Sequence, residues 1–178
     1  MNKLGKESRL TSSQTIGPFP HEAWQWAVDA TTGGARPASA TLCLEGRLLD
    51  GQGQPINDGW IEAWTPSAVE LEAEALMPGF RRVATDEEGG FRLWLSPAGQ
   101  PGEPAAYITV FARGLLMHQF SAVFLADDPG LAGSELLAQV PATRRASLLA
   151  QGLTPGNYRW DIRLQGDAAS ETVFFDYA

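Results

Sequence analysis

Few side chains in this sequence are equipped for covalent or metal chemistry. His21 and His118 are the histidines, Cys43 is the lone cysteine, and the tyrosines are Tyr107, Tyr158 and Tyr177. The histidines lie far apart in the chain and cannot form the i, i+4 pair of a helical zinc site. A single Cys forms neither an intrachain disulfide nor a thiolate cluster, and inside Thr41-Leu42-Cys43-Leu44 it reads as a small buried hydrophobe. Asp86-Glu87-Glu88 concentrates carboxylates but lacks the ligand spacing of an EF-hand loop, so a solvated hairpin turn is expected there. No G-x-S-x-G elbow, Walker A loop or G-x-G-x-x-G fingerprint is present.

Two segments carry more information. In Phe111-Ala112-Arg113-Gly114, strand geometry places Arg113 on the same side as Tyr107, Thr109 and Phe111, at the strand's end beside a glycine. A guanidinium there suits bidentate recognition of a carboxylate, although spacing alone favours a structural salt bridge. Thr11-Ser12-Ser13-Gln14-Thr15-Ile16-Gly17-Pro18-Phe19 is polar, ends in Gly-Pro and fits neither a helix nor a central strand. Ile16, Phe19, Trp24 and Trp26 give it apolar anchors that a solvated tail does not need, which suits an extended arm lying across a partner.

The elements that must position these residues are mostly strands. Thr41 to Asp50 stops at the turn formers Asp50-Gly51-Gln52-Gly53-Gln54-Pro55. Trp60 to Trp64, Phe91 to Leu95, Tyr107 to Arg113 and Phe120 to Leu125 follow, with a turn at Thr85 to Gly90. Tyr158 to Gln165 alternates apolar and polar residues cleanly, as a half-buried antiparallel strand does, and Thr172 to Tyr177 supplies a last strand. Helical signals are short: Glu22 to Ala30, a segment capped by Ser134, and Thr143 to Gln151 before Gly152. The pattern predicts an all-β protein, an antiparallel β-sandwich with an extended N-terminal arm over 1–40 and a few short peripheral helices. One domain over 1–178 is expected.

Composition narrows the classes. Lys and Arg number 13 against 21 Asp and Glu, a formal charge of −8, which repels phosphate backbones and argues against nucleic-acid binding. The charged start of the chain leads into no apolar h-region and no apolar run is long enough to span a bilayer, so a cytoplasmic location is expected.

Thr11 to Phe19, Phe111-Ala112-Arg113-Gly114, Tyr158 to Gly166 and Glu171-Thr172-Val173-Phe174-Phe175-Asp176 together resemble the intradiol aromatic-ring dioxygenases. Within that family the likeness is to the α subunits of its heteromeric, protocatechuate-cleaving members. It covers nearly the whole chain and is poor over Pro66 to Pro78. The resemblance implies a non-catalytic subunit paired with a homologous β subunit, in a higher-order assembly of such pairs. The complex would convert protocatechuate and O2 to 3-carboxy-cis,cis-muconate on Fe(III) held by the β subunit. The family's ferric ion takes two Tyr and two His. The resemblance places the His pair at Ala105 and Tyr107, the first Tyr around Val69, and the second within Ser96 to Gly102. Neither of those last two regions contains Tyr, so no iron site is expected on this chain. By motif, Thr15, Gly17, Pro18 and Arg113 would reach the partner's substrate cavity. Gly17 allows close backbone approach to a flat ring, Pro18 fixes the arm's direction, and Arg113 adds positive potential for an anionic benzoate. Phe19 stands where many relatives have Tyr, and no hydroxyl contact is expected there. The poor match at 66–78 and the short loop after Leu95 motivate an alternative, a stand-alone β-sandwich binding or scaffold module without dioxygenase assembly.

Overall fold

The computed structural model describes residues 25–32, 36, 38–97, 99–167 and 169–176. The expected arm residues Thr15, Gly17 and Pro18, with His21, lie outside the described residues. Helix α1 (Gln25–Thr32) overlaps the segment expected to be helical from Glu22 to Ala30 and runs two residues beyond its end. Nine strands follow among the described residues. They are β1 (Leu42–Leu49), β2 (Gly59–Trp64), β3 (Phe80–Ala84), β4 (Gly90–Leu95), β5 (Ala106–Ala112), β6 (Gln119–Leu125), β7 (Leu149–Thr154), β8 (Asn157–Arg159) and β9 (Ile162–Arg163).

The hydrogen-bonded path runs β3-β2-β5-β6-β7-β8-β1-β4, with β9 paired to β1. Its two ends meet where Arg81 Nε of β3 donates to the Trp94 carbonyl of β4 at 2.9 Å. The path therefore makes two layers, β3-β2-β5-β6 and β7-β8-β1-β4, whose facing sides enclose one core. Period-two alternation explains who enters it. Leu42, Leu44 and Leu48 from β1, Ile61 and Ala63 from β2, Leu93 and Leu95 from β4, and Ile108 and Val110 from β5 are all buried there. The β-sandwich of the sequence reading is the observed class, and Phe91, Leu93 and Leu95 share a face as expected.

A second cluster covers the far side of β6. Ala122 and Phe124 pack with Leu137, Val140 and Leu148. Helix α2 (Glu135–Ala138) supplies Leu137 and starts where predicted, with Ser134 Oγ accepting the Leu137 N–H at 3.3 Å. Ser134→Ala leaves that N–H without its cap and is expected to cost about 1 kcal/mol, readable as a lowered urea midpoint with unchanged m.

Three local expectations change. Thr143 to Gln151 is not a helix ending at Gly152: a 3-10 turn spans Arg145–Leu148 and the chain then enters β7. Leu149 and Ala150 pair in parallel with Phe124 and Leu125, so tertiary pairing overrides the local signal. Tyr158 to Gln165 keeps its alternation and pairs antiparallel with β7 as expected, but its other neighbour, β1, runs parallel to it, and it splits into β8 and β9. The split has a cause. The Trp160 carbonyl lies over Gly46, where a Cβ would sit 1.7 Å from its oxygen, and the Arg47 N–H donates to Asp161 Oδ1 at 3.0 Å instead of to a neighbouring carbonyl. Thr172 to Tyr177 forms no ladder; among the described residues it makes a single bridge, Phe175 to Phe120.

Candidate functional site

Arg113 sits one residue past β5, where Gly114 takes φ +93° and turns the chain back toward β6. A side chain at Gly114 would meet no neighbour, so the positive φ rather than space selects glycine there. The turn fixes where Arg113 projects. Its Nε forms an ion pair with Asp58 Oδ2 at 2.8 Å, and its side chain is 66% exposed. One edge of the guanidinium is thus anchored while the Nη groups remain open to a guest. An exposed pair of this kind contributes little to stability, about 0–1 kcal/mol, so anchoring is its main physical consequence.

Arg113 borders a cleft of about 810 Å³ whose lining includes Ile56, Asp58, Gly114, Arg144 and Phe174. Arg144 is drawn back by Glu171, through the Glu171 carbonyl at 3.1 Å and its carboxylate at 3.6 Å. Beside Arg113, outside this cleft, lies an aromatic cluster. His118 lies edge-on to Phe120, with centroids 4.5 Å apart, and tilted against Phe111 at 5.3 Å. His118 is therefore held as a flat ring between two aromatics.

The segments at which a family iron site would lie are occupied by a different construction. The loop from Pro66 to Gly79 is pinned by Glu72, a buried carboxylate the sequence did not single out. Arg81 Nη2 donates to Glu72 Oε1 at 2.5 Å, with both side chains about 96% buried or more (4% and 3% exposed). Ser96 and Ser39 hydroxyls donate to the same oxygen at 2.7 and 3.0 Å, and the Gly79 N–H donates to Oε2 at 2.8 Å. Burial alone would raise the Glu72 pKa; the hydrogen bonds from Arg81, Ser96 and Gly79, with the Arg81 charge, outweigh it and hold the group at about 2. This knot joins the neighbourhood of Val69 to the stretch that begins at Ser96. Ala105 is buried in the core, and Tyr107 projects from the outer side of β5, 39% exposed. An alanine methyl, a valine, one exposed phenol and a guanidinium-bound carboxylate do not match the phenolate and imidazole donors of a ferric centre. Nothing local in the sequence pointed to Glu72, because its partners arrive from β3, β4 and the segment before β1.

Other sequence candidates resolve into structure. Asp86 Oδ1 accepts the Glu88 and Gly90 N–H groups at 2.9 and 2.7 Å, a hairpin turn as expected. Cys43 is buried, and desolvation pushes its thiol pKa up, which makes it a poor nucleophile.

Comparison with known proteins places this geometry. No family model matches the chain. It is 32% identical to the protocatechuate 3,4-dioxygenase alpha chain of Burkholderia cepacia, over 94% of this chain and 98% of that one. The chain belongs to the intradiol dioxygenase family. The corresponding alpha chain of Pseudomonas putida is 28% identical over 94% of this chain and 96% of its own length. The Burkholderia cepacia beta chain is also similar, at 25% identity over 89% of this chain and 77% of that one. Among solved structures, catechol 1,2-dioxygenase from Acinetobacter sp. ADP1 superposes with TM-score 0.53 at 20% identity, covering 82% of this chain and 59% of that one. The dioxygenase domain of a carbohydrate-binding fusion from Streptomyces sp. SirexAA-E gives 0.52 at 19% identity, covering 70% and 79%. These two likenesses establish the shared fold. The intradiol scaffold is thus present here.

Proposed function

We propose that this chain is the non-catalytic α subunit of a heteromeric intradiol dioxygenase that cleaves protocatechuate with O2 to 3-carboxy-cis,cis-muconate, with Fe(III) on a homologous β subunit. The observation that carries the proposal is the donor set. A chain similar to an alpha chain over 94% of its length carries Ala105 and Tyr107 where the resemblance assigns the imidazoles, and a buried Glu72–Arg81 pair beside the regions it assigns to the phenols. These residues do not fit iron, so the chain's contribution is positioning.

Arg113 is the positioning residue on the described surface. Anchored by Asp58 and otherwise open, it presents a fixed positive charge to the carboxylate of a benzoate-type substrate, directly or through water. Thr15, Gly17 and Pro18 complete this reading as the arm that closes the partner's pocket.

Mixing this chain with a β chain is expected to restore ring cleavage that neither shows alone. In that complex Arg113→Ala should raise KM for protocatechuate by roughly 5- to 30-fold, the equivalent of about 1–2 kcal/mol, with kcat nearly unchanged. Because the Asp58 pair is exposed, the variant should assemble and melt as the parent does. Unchanged KM with weakened assembly would assign Arg113 a structural role instead.

A further inference from the structure

The contact between Arg113 and Asp58 is written into the sheet register. In the antiparallel ladder between β2 and β5, Trp60 pairs with Phe111 and Gly59 with Ala112. One step further along the same register sets Asp58 across from Arg113, just beyond the end of both strands. Opposite residues of such a pair bring their Cβ atoms to about 5 Å, close enough for the 2.8 Å contact of Arg113 Nε with Asp58 Oδ2.

The backbone beside Asp58 is clamped. The Gly59 N–H donates to the buried Thr85 Oγ1 at 2.9 Å, and the Thr85 N–H donates back to the Gly59 carbonyl at 2.9 Å. Gly59 is also closely packed: a Cβ there would lie 2.3 Å from Leu48 and 3.3 Å from the Phe111 carbonyl oxygen. The Asp58 side chain is 25% exposed against 66% for Arg113, so the shorter and better-held acid fixes the longer base.

Asp58 also changes what Arg113 recognises. One carboxylate against one guanidinium leaves the pair without net charge, so its attraction for a distant anion is weak. What the pair offers is direction. With Nε turned to Asp58, the Nη groups are presented to the cleft as a planar fork, and a fork matches a carboxylate and not a neutral ring.

We infer that Asp58 is a positioning residue that sets the preference of the complex for a carboxylated catechol over a plain one, by holding the Arg113 guanidinium in one orientation. The inference rests on the function proposed above and adds to it the residue that orients Arg113. Asp58 has two opposed effects on an anionic substrate. Its charge repels the substrate's carboxylate, and its grip on Nε aims the guanidinium. Asp58→Asn keeps an oxygen of the same reach beside Nε and removes the charge, whereas Asp58→Ala removes both.

Steady-state kinetics of the complex with a β chain separate the two effects. Asp58→Ala should raise KM for protocatechuate roughly 2- to 5-fold at unchanged kcat, a ceiling set by the small worth of an exposed ion pair. Asp58→Asn should leave that KM at or below the parent value. Catechol, offered as a competing ligand, carries no carboxylate, and its inhibition constant should not move in either variant. On an Arg113→Ala background, Asp58→Ala should change KM no further, because the group it aims is gone. A KM lowered in both Asp58 variants would make repulsion the whole effect and overturn the inference. So would equal losses for protocatechuate and catechol, or an effect that persists without Arg113. Each of these leaves the proposed function standing, which Arg113→Ala tests separately. No ring cleavage on mixing the parent chain with a β chain would overturn both.

Discussion

Replacing Arg81 with Met is expected to destabilise the chain by about 3–5 kcal/mol, measured as unfolding free energy in urea. The side chain is buried, and its guanidinium reaches the Glu72 carboxylate, the Trp94 carbonyl and the Phe80 carbonyl. Removing it leaves the buried Glu72 carboxylate without its cation, so that the site must either hold an uncompensated charge or take up a proton, and breaking a buried pair in this way is among the costliest single changes available. The intact pair is a different matter. Every oxygen of Glu72 has a partner, so the network costs little net while it stays whole. Glu72→Gln with Arg81→Met should therefore recover part of the loss, a coupling that a double-mutant cycle reads directly. The same network sets an acid limit. Glu72 has a folded pKa of about 2 against an ordinary value of 4.5, so the unfolded chain binds more protons across that window. The sign follows: this contribution is complete above about pH 5 and is lost as the pH falls toward 2, by up to about 3 kcal/mol. In Arg81→Met that part of the acid dependence should shrink.

Gly46→Ala is expected to cost about 3 kcal/mol or more, and to abolish soluble expression if total stability is ordinary. A Cβ at Gly46 would lie 1.7 Å from the Trp160 carbonyl oxygen and 2.9 Å from the Phe91 ring. The first contact is backbone and has no rotamer to escape to. The chain must separate β1 from the segment between β8 and β9, at the one place where Trp160 N donates to the Glu45 carbonyl at 2.8 Å. Trp160 is itself buried and donates its indole N–H to the Ser147 carbonyl at 2.8 Å. Overpacking with that little freedom exceeds the usual 1–3 kcal/mol range of small-to-large changes. Thermal melts of Gly46→Ala beside Gly133→Ala, which meets no neighbour within 4 Å, give the comparison.

These two sites also show what the sequence could and could not convey. Alternation along Phe91–Leu95 and Tyr158–Gln165 made the core-facing residues legible, because period two is a local property. The turn at Asp50 to Pro55 was legible for the same reason: Asp50 Oδ1 accepts the Gln52 and Gln54 N–H groups, all within one short segment. Direction of pairing was not legible. Whether β8 runs parallel or antiparallel to β1 depends on a partner more than a hundred residues away, and the side chains read the same either way. The helix expected before Gly152 failed because β6 offered Leu149 and Ala150 a ladder. Arg113 was legible as a candidate from its place beside Gly114, but its anchor, Asp58, arrives from the start of β2 and had no signal. Glu72 had none either: a glutamate in a loop of poor resemblance becomes notable only when Arg81, Ser96 and Ser39 converge on it. The arm residues Thr15, Gly17 and Pro18 rest on resemblance, outside the described part of the molecule.

The central claim, that this chain positions substrate for iron carried elsewhere, turns on which chain holds the metal. The most direct measurement is iron content by elemental mass spectrometry on this chain purified alone with ferric iron supplied, and on the same chain purified with a β subunit. The isolated chain is expected to carry no iron above background and to lack ring-cleaving activity, while the complex carries iron in proportion to its β subunit. Stoichiometric iron in the isolated chain would contradict the account.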